Sequence, residues 1–137
     1  MNEAAARELI RDHFASAGRD EARASRIYAD DAVLEFPQGG ERIRGKANIQ
    51  AMRTAYPASL DFENRRTIGG GDVWVNQYTI RYDGHPSHVV GIMEFRDGLV
   101  VRETIYVSDS WEPPAWRAEW VEPIVPAAAE GGHHAIA

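Results

Sequence analysis

Two Asp-Gly pairs in the second half of the chain constrain its fold more than any other feature. Asp83-Gly84 and Asp97-Gly98 each lie between runs in which apolar and polar residues alternate. Because Asp-Gly is the usual central dipeptide of a tight primed turn, each pair predicts a β-hairpin. The three alternating runs are therefore predicted to form an antiparallel meander.

The segments before the meander are predicted to be mainly helical. Apolar residues at helical spacing predict a first helix over residues 2–17, which Gly18 would stop. Asp20 is placed to cap a second, short helix that runs to about Tyr28, and a third helix should begin near Lys46 and end before Pro57. Helices followed by antiparallel strands indicate the α+β fold class.

Composition limits the size and the partners of the protein. The 137 residues provide for one domain, which we assign to residues 1–125, with residues 126–137 as a flexible tail. The chain has no cysteine, and no group of His, Asp and Glu has metal-binding spacing, so we predict neither a metal nor a cofactor. A net charge of −6 without a basic stripe argues against nucleic acid.

The distribution of apolar residues argues against a membrane partner. No apolar run approaches the roughly 18 residues that a membrane span needs. The N-terminal sequence "MNEAAARELIRDHF" lacks the features of an export signal, so we predict a cytoplasmic location. A small neutral or cationic molecule is the ligand that this composition favours.

The two predicted turns fix the register of the three strands, with Tyr82 opposite His85 and Arg96 opposite Leu99. This register sorts the strand residues into two faces. The face with more aromatic and fewer charged residues is predicted to face the helices and a ligand pocket. Its members are Trp74, Asn76, Tyr78, Ile80, Val89, Gly91, Met93, Phe95, Val100, Arg102, Thr104 and Tyr106.

The opposite face is an alternative lining for the pocket. One bulge would reverse the assignment for a strand, because it shifts the alternation by one residue. A carboxylate held in an apolar wall could then serve as a base. The site residues of this alternative are Gln77, His88, Glu94 and Glu103.

Two longer segments carry a resemblance to a known family. They are "YADDAVLEFPQGGERIRGKANI" and "VVRETIYVSDSWEPPAWRAEWVE". In the order of its elements the chain resembles the nuclear transport factor 2-like superfamily, and within it the SnoaL-like and ketosteroid-isomerase-like proteins. The resemblance implies a cone-shaped α+β fold with helices packed on a strongly curved sheet, a deep pocket and a homodimer. It fixes no reaction, because the superfamily includes isomerases, dehydratases, cyclases, epoxide hydrolases and binding proteins.

The resemblance implies which residues of this chain occupy the catalytic positions of its relatives. Where the steroid isomerases have their general base, directly before the proline of the first segment, this chain has Phe36. Their second acid corresponds to Met93, and their oxyanion-hole tyrosine corresponds to His13. The epoxide-hydrolase pattern of an Arg-x-Asp and a later Asp is replaced by residues 91–93 (Gly-Ile-Met) and by Ser108.

The candidate site residues follow from these observations. His13 lies on the apolar stripe of the first helix, and imidazole titrates nearest to neutral pH. A buried amide, phenol or guanidinium on the inward face could stabilise an oxygen that gains negative charge. The candidate catalytic residues are His13, Asn76 and Tyr106. The candidate ligand-binding residues are Tyr28, Phe36, Tyr78, Met93, Arg102, Thr104 and Trp111.

Three functional hypotheses remain open on the sequence. The first is a cofactor-independent enzyme that acts on a small, mostly apolar organic molecule by general acid/base proton transfer, of isomerase, dehydratase or cyclase type. The second is a non-catalytic small-molecule-binding domain or dimeric scaffold. The third is an epoxide hydrolase-like enzyme.

Overall fold

Residues 1–124 are described by the computed structural model, and the predicted tail, residues 126–137, lies outside the described residues. The helices are α1 (Glu3–Ser16), α2 (Glu21–Ala24) and α3 (Lys46–Ala55). The strands are β1 (Tyr28–Phe36), β2 (Glu41–Arg44), β3 (Leu60–Gly70), β4 (Val73–Tyr82), β5 (His85–Arg96) and β6 (Leu99–Asp109). Short 3₁₀ turns cover Ser25–Ile27, Pro37–Gly39 and Ala115–Trp120.

The six strands form one sheet in the order β2-β1-β6-β5-β4-β3. Strands β1 and β6 are parallel, and the other neighbouring pairs are antiparallel. The sheet is curved, and α1 and α3 pack on its concave face. The predicted α+β class is confirmed, as is the meander formed by β4, β5 and β6.

The two Asp-Gly turns have the predicted geometry. The φ angles are 50° and 88° in the first pair and 53° and 83° in the second. Positive φ at both central residues defines the primed turn that suits the right-handed twist of a hairpin. Tyr82 pairs with His85 and Arg96 pairs with Leu99, which confirms the predicted register at both turns.

The boundaries of α1 and α3 agree with those predicted, because local signals set them, whereas the second helix is α-helical only over Glu21–Ala24 and continues as the 3₁₀ turn Ser25–Ile27. The side chain of Asn2 caps the start of α1, and that of Asp20 caps α2. Gly18, with φ of 81°, follows α1. A Cβ atom at this position would lie 2.6 Å from the carbonyl oxygen of Leu60, so both the backbone angle and the space require glycine.

The hydrophobic core lies between the helices and the concave face of the sheet. Apolar side chains from α1, α3 and four strands form it, and most of them are almost fully buried. The predicted inward face is confirmed for β4 and β5. The inward core residues of these two strands are Trp74, Tyr78, Ile80, Val89, Met93 and Phe95.

In β6 a bulge changes the alternation. Phe95 of β5 pairs with Val100, whereas Glu94 pairs with Arg102, so Val101 is an extra residue in β6. An extra residue moves every following side chain to the opposite face of the sheet. From position 102 onward the predicted face of β6 is therefore reversed.

The reversal corrects three predicted site residues. Arg102 and Tyr106 are exposed on the outer face, and Thr104 is half-buried there. The expectation that these three side chains face the helix-covered pocket is wrong. Glu103 and Ile105 take the inward positions instead, and the Glu103 residue is only 1% exposed.

Candidate functional site

A cavity of about 190 Å³ lies between α3 and the concave face of the sheet. Its wall is mostly apolar and rich in aromatic rings. It is lined by Phe36, Met52, Arg53, Tyr56, Leu60, Phe62, Tyr78, Ile80, Tyr82, Ile105 and Val107. Such a wall suits a small, largely apolar molecule, because burial of apolar surface stabilises its complex.

The alternation of two strands builds this wall. Tyr78, Ile80 and Tyr82 are successive inward positions of β4, and Ile105 and Val107 are inward positions of β6 after the bulge. Glu103 takes the inward position of β6 that precedes Ile105, and its carboxylate is buried beyond the apolar wall. The bulge in β6 therefore brings an acid next to the inner end of the cavity, where Glu103 lies 3.6 Å from Arg53, a residue of the lining.

Three polar side chains form a cluster at this inner end. The Tyr28 hydroxyl donates a hydrogen bond to Oε1 of Glu103. Nη1 of Arg53 donates to the Tyr28 oxygen over 2.7 Å, and Nη2 of Arg53 lies 3.6 Å from Oε1 of Glu103. The three residues come from β1, α3 and β6. We call them the polar cluster: Tyr28, Arg53 and Glu103.

Burial and charge together set the protonation of the cluster. Burial raises the pKa of the Tyr28 phenol, and the charge of Glu103 raises it further although Arg53 opposes this. Burial disfavours the Arg53 cation, but the negative charge of Glu103 and the hydrogen bond to the Tyr28 oxygen favour it, and the pKa of Arg53 is raised. Tyr28 therefore stays a hydrogen-bond donor, and Arg53 stays a cation near neutral pH.

Two polar atoms of the site take no part in these bonds: the Tyr78 hydroxyl and Oε2 of Glu103. Both lie over Gly91. A Cβ atom at Gly91 would be 3.5 Å from the Tyr78 oxygen and 3.4 Å from Oε2. Burial raises the pKa of Tyr78 well above its usual range, with a further contribution from the Glu103 charge. This phenol is therefore a neutral donor available to a ligand in the cavity.

The family model described as "SnoaL-like domain" matches residues 6–103, which is well over half of the chain. The chain belongs to the SnoaL-like domain family. The resemblance inferred from the sequence is thereby confirmed. None of the curated proteins matches this sequence.

Solved structures agree with this assignment. The SnoaL-like domain is 47% identical to an NTF2-like protein of unknown function from Burkholderia xenovorans LB400, with a TM-score of 0.83 over 90% of this chain and 98% of that chain. It is 27% identical to a protein proposed to be a ketosteroid isomerase from Kribbella flavida, with a TM-score of 0.80 over 90% and 93% of the two chains. A proposed isomerase from Bacillus subtilis is 26% identical, with a TM-score of 0.65 over 79% and 90%.

Three of the predicted ligand-binding residues of the SnoaL-like domain come together. Phe36 and Tyr78 line the cavity, and Tyr28 belongs to the polar cluster at its inner end. Of the alternative acids, Glu103 joins them, whereas Glu94 lies on the outer face and approaches Arg102 at 3.7 Å. The structure thus combines one part of each predicted face.

His13 lies behind Tyr28 and does not line the cavity. Its Nδ1 donates to the carbonyl oxygen of Ala24 over 2.8 Å. The centroids of the His13 and Tyr28 rings are 5.9 Å apart, and the two ring planes are nearly perpendicular. Burial lowers the pKa of His13, and the Arg53 charge lowers it further. The imidazole is therefore neutral near pH 7 and supports Tyr28 from the core side.

This lowered pKa predicts a pH dependence of stability. The unfolded chain takes up a proton at His13 below about pH 6.5, whereas the folded chain resists it, so stability is full above that pH and falls as the pH drops. The slope from this residue approaches about 1.4 kcal/mol per pH unit. In urea unfolding at pH 7 to 5, His13→Gln should flatten the loss, and His85→Gln, an exposed control, should not. Equal slopes in all three proteins would refute the prediction.

Asn76 and Met93, predicted site residues on the inward face, bond to each other in the core. The Asn76 amide nitrogen lies 3.4 Å from the Met93 sulfur, and its oxygen accepts from Thr67 over 2.8 Å. Neither side chain lines the cavity. Their hydrogen bonds are used within the protein, so they contribute to packing of the sheet rather than to the wall.

The remaining predicted residues lie away from the cavity. Arg102 bonds to Glu35 on the outer face, and Trp111 follows β6 with 73% of its surface exposed. Tyr106 lines a separate groove on the outer face of about 280 Å³, together with Gln77 and His88. The sequence predicts Arg102, Tyr106 and Trp111 at the pocket. The reversal of β6 is the reason that Arg102 and Tyr106 lie on the outer face instead.

Arg53 is a charged site residue that the sequence does not single out. Its signal is its position on the apolar stripe of α3 beside Ile49, Met52 and Tyr56. An arginine on such a stripe needs a buried acid, and the identity of that acid depends on the bulge in β6. Within the described residues, no helix has the length and apolar character for crossing a membrane, and no three His, Asp or Glu side chains converge as metal ligands.

Proposed function

We propose that this SnoaL-like domain is a cofactor-independent enzyme that moves a proton on a small, mostly apolar ketone. One observation carries the proposal: Tyr78 lines the apolar cavity, and its hydroxyl and Oε2 of Glu103 both lie within 3.5 Å of one point above Gly91, next to the inner end of that cavity. A neutral donor next to a carboxylate is the pair that proton transfer beside a carbonyl requires. The relatives proposed to be isomerases support the same class.

The proposed step is an isomerisation within one substrate molecule. Glu103 takes the proton from the carbon between the carbonyl and a neighbouring C=C bond, and that C–H electron pair moves toward the carbonyl oxygen. The Tyr78 hydroxyl donates a hydrogen bond to the enolate oxygen. Glu103 then returns the proton to the far carbon of the former double bond, which gives the conjugated ketone. Atoms and electrons balance without a co-reactant.

Other members of the site position these two groups. Tyr28 and Arg53 hold Oε1 of Glu103, so that its second oxygen is directed away from them. His13 supports the Tyr28 ring from behind. In this proposal His13 is a positioning residue, and the proton-transfer role first expected of it passes to Glu103.

The cavity volume supports a compact substrate. A cavity of about 150 Å³ accommodates benzene, and drug-sized ligands occupy about 300–1,000 Å³. At about 190 Å³, this cavity suits a molecule of one or two rings. A four-ring steroid exceeds that volume.

A second candidate is a binding domain without catalysis. Phe36 and Met93 stand where the related steroid isomerases carry acids, and this favours a loss of their reaction. Under this alternative the Tyr78 hydroxyl binds a ligand oxygen and no proton moves. Nothing in the arrangement of residues 91–93 and Ser108 favours the epoxide hydrolase-like alternative.

Turnover separates the two candidates. We expect one- and two-ring β,γ-unsaturated ketones to be converted to their conjugated isomers, measured by the rise in ultraviolet absorbance. The saturated ketones of the same size should bind as competitive inhibitors, measured by calorimetry, and a four-ring steroid ketone should bind at least about 10-fold more weakly. Binding of the small ketones without any conversion would favour the binding domain.

A further inference from the structure

The segment that follows β6 exposes three tryptophan side chains. We call residues 110–124 the arm. Trp111, Trp116 and Trp120 are 73%, 75% and 74% exposed, and Ile124 is almost fully exposed. Isolated exposed apolar side chains are ordinary, but three tryptophans within ten residues form an apolar surface that normally has a partner.

Among the described residues, a side-chain hydrogen bond attaches the arm to the domain at its start. Ser110 Oγ lies 2.9 Å from Nε2 of His88 on β5. Beyond this point the 3₁₀ turn Ala115–Trp120 makes no extended packing with a described helix or strand. The Trp116 ring packs instead with the neighbouring Arg117, whose Cζ atom lies 5.8 Å from the centre of the ring. The arm therefore leaves its three tryptophan side chains largely uncovered by the rest of residues 1–124.

A second uncovered apolar surface lies on the outer face of the sheet. Ile68, Val75 and Ile92 are paired side by side across β3, β4 and β5, and Val90 is paired with Tyr106 on β6. We call these five residues the outer patch. The 280 Å³ groove lies beside it and includes Val90 and Tyr106 in its lining.

We propose that the arm of one copy of this chain packs on the outer patch of a second copy, and that the exchange is reciprocal. Two surfaces that are uncovered in one chain are then both covered by twofold symmetry. A tryptophan buries about 150–250 Å², so six of them bury on the order of 1,000 Å². With the two patches that receive them, the total reaches the roughly 1,200–2,000 Å² of a stable interface.

Charge complementarity also favours a second copy as the occupant. The arm carries Glu112, Glu119 and Glu122 against one arginine. The lining of the groove contains Arg65 and His88 and no acidic side chain. An acidic arm on a neutral to basic groove gains attraction that two copies of a protein with a net charge of −6 otherwise lack.

Cross-linking tests the exchange directly, because the natural chain has no cysteine. Full-length Ala118→Cys, in the arm, is mixed with full-length Gln77→Cys, on the outer face, and the mixture is oxidised. We expect a mixed disulfide between the two proteins. Arg26→Cys, an exposed position on the helical side, is the matched control and should give no mixed product with Ala118→Cys.

Sedimentation measures how much the arm contributes to the affinity of the dimer. The natural chain should be a dimer, and the triple variant Trp111→Gln, Trp116→Gln, Trp120→Gln should raise the dimer Kd at least about 100-fold, as for a buried aromatic hot spot. Circular dichroism checks that the variant remains folded. A monomeric natural chain, a dimer that the triple variant leaves unchanged, or the absence of the mixed disulfide would each overturn the proposal.

Discussion

Replacing Arg53 with methionine is expected to lower the free energy of unfolding by about 3–5 kcal/mol, the usual cost of removing one partner from a buried ion pair. The side chains of Arg53 and Glu103 are only 12% and 2% exposed. The variant leaves the Glu103 carboxylate without its cation and the Tyr28 oxygen without its donor. Urea unfolding followed by circular dichroism measures the loss.

Two further variants separate charge from packing. Arg96→Met removes an exposed arginine that lies 3.9 Å from Asp31, and it should leave the unfolding midpoint nearly unchanged. The double variant Arg53→Met, Glu103→Leu should recover at least half of the loss, because it no longer buries an unpaired charge. A double variant less stable than Arg53→Met alone would contradict this account of the polar cluster.

Much of the fold is predictable from the sequence because local signals determine it. The two Asp-Gly turns require no distant contact to adopt positive φ, and they fix the register at both hairpins. The same holds for Asn2 and Asp20, whose side chains cap the helices that follow them. The pairing of β4 with β5 continues from the turn without a bulge, so the predicted inward face of these two strands is also correct.

The face of β6 depends on information that its sequence does not contain. Residues 99–101 (Leu-Val-Val) are all apolar, so the alternation is lost where the bulge occurs. An apolar run fits either register, and only pairing with β5 decides that Val101 is the extra residue. For this reason the positions predicted for Arg102 and Tyr106 at the pocket are wrong.

The candidate site was predictable in part. Phe36 and Tyr78 both line the cavity: the resemblance predicts this position for Phe36, and the alternation of β4 predicts it for Tyr78. Arg53 has meaning only beside Glu103, and these residues are brought together by the contact of α3 with a sheet whose register the bulge sets. The sequence of α3 alone, or of β6 alone, therefore cannot predict the contact between Arg53 and Glu103.

Replacing Glu103 with glutamine is expected to lower the rate of ketone isomerisation about 10²–10⁴-fold, the usual contribution of a positioned acid or base. Glutamine keeps the size of the side chain and an oxygen that can accept from Tyr28, but it cannot take a proton. The variant also leaves the buried Arg53 cation without its anion, so circular dichroism checks that the protein remains folded under the assay conditions. The matched control is Glu94→Gln on the outer face of β5, where no effect on turnover is expected.

The comparison of these two variants tests the central claim, that the bulge in β6 turns one acid toward the cavity and leaves the other outside. The measurement is kcat/KM for a two-ring β,γ-unsaturated ketone with the natural protein, Glu103→Gln and Glu94→Gln. We predict a loss of at least about 100-fold for Glu103→Gln alone. Equal values for the natural protein and Glu103→Gln, or a loss confined to Glu94→Gln, would contradict it.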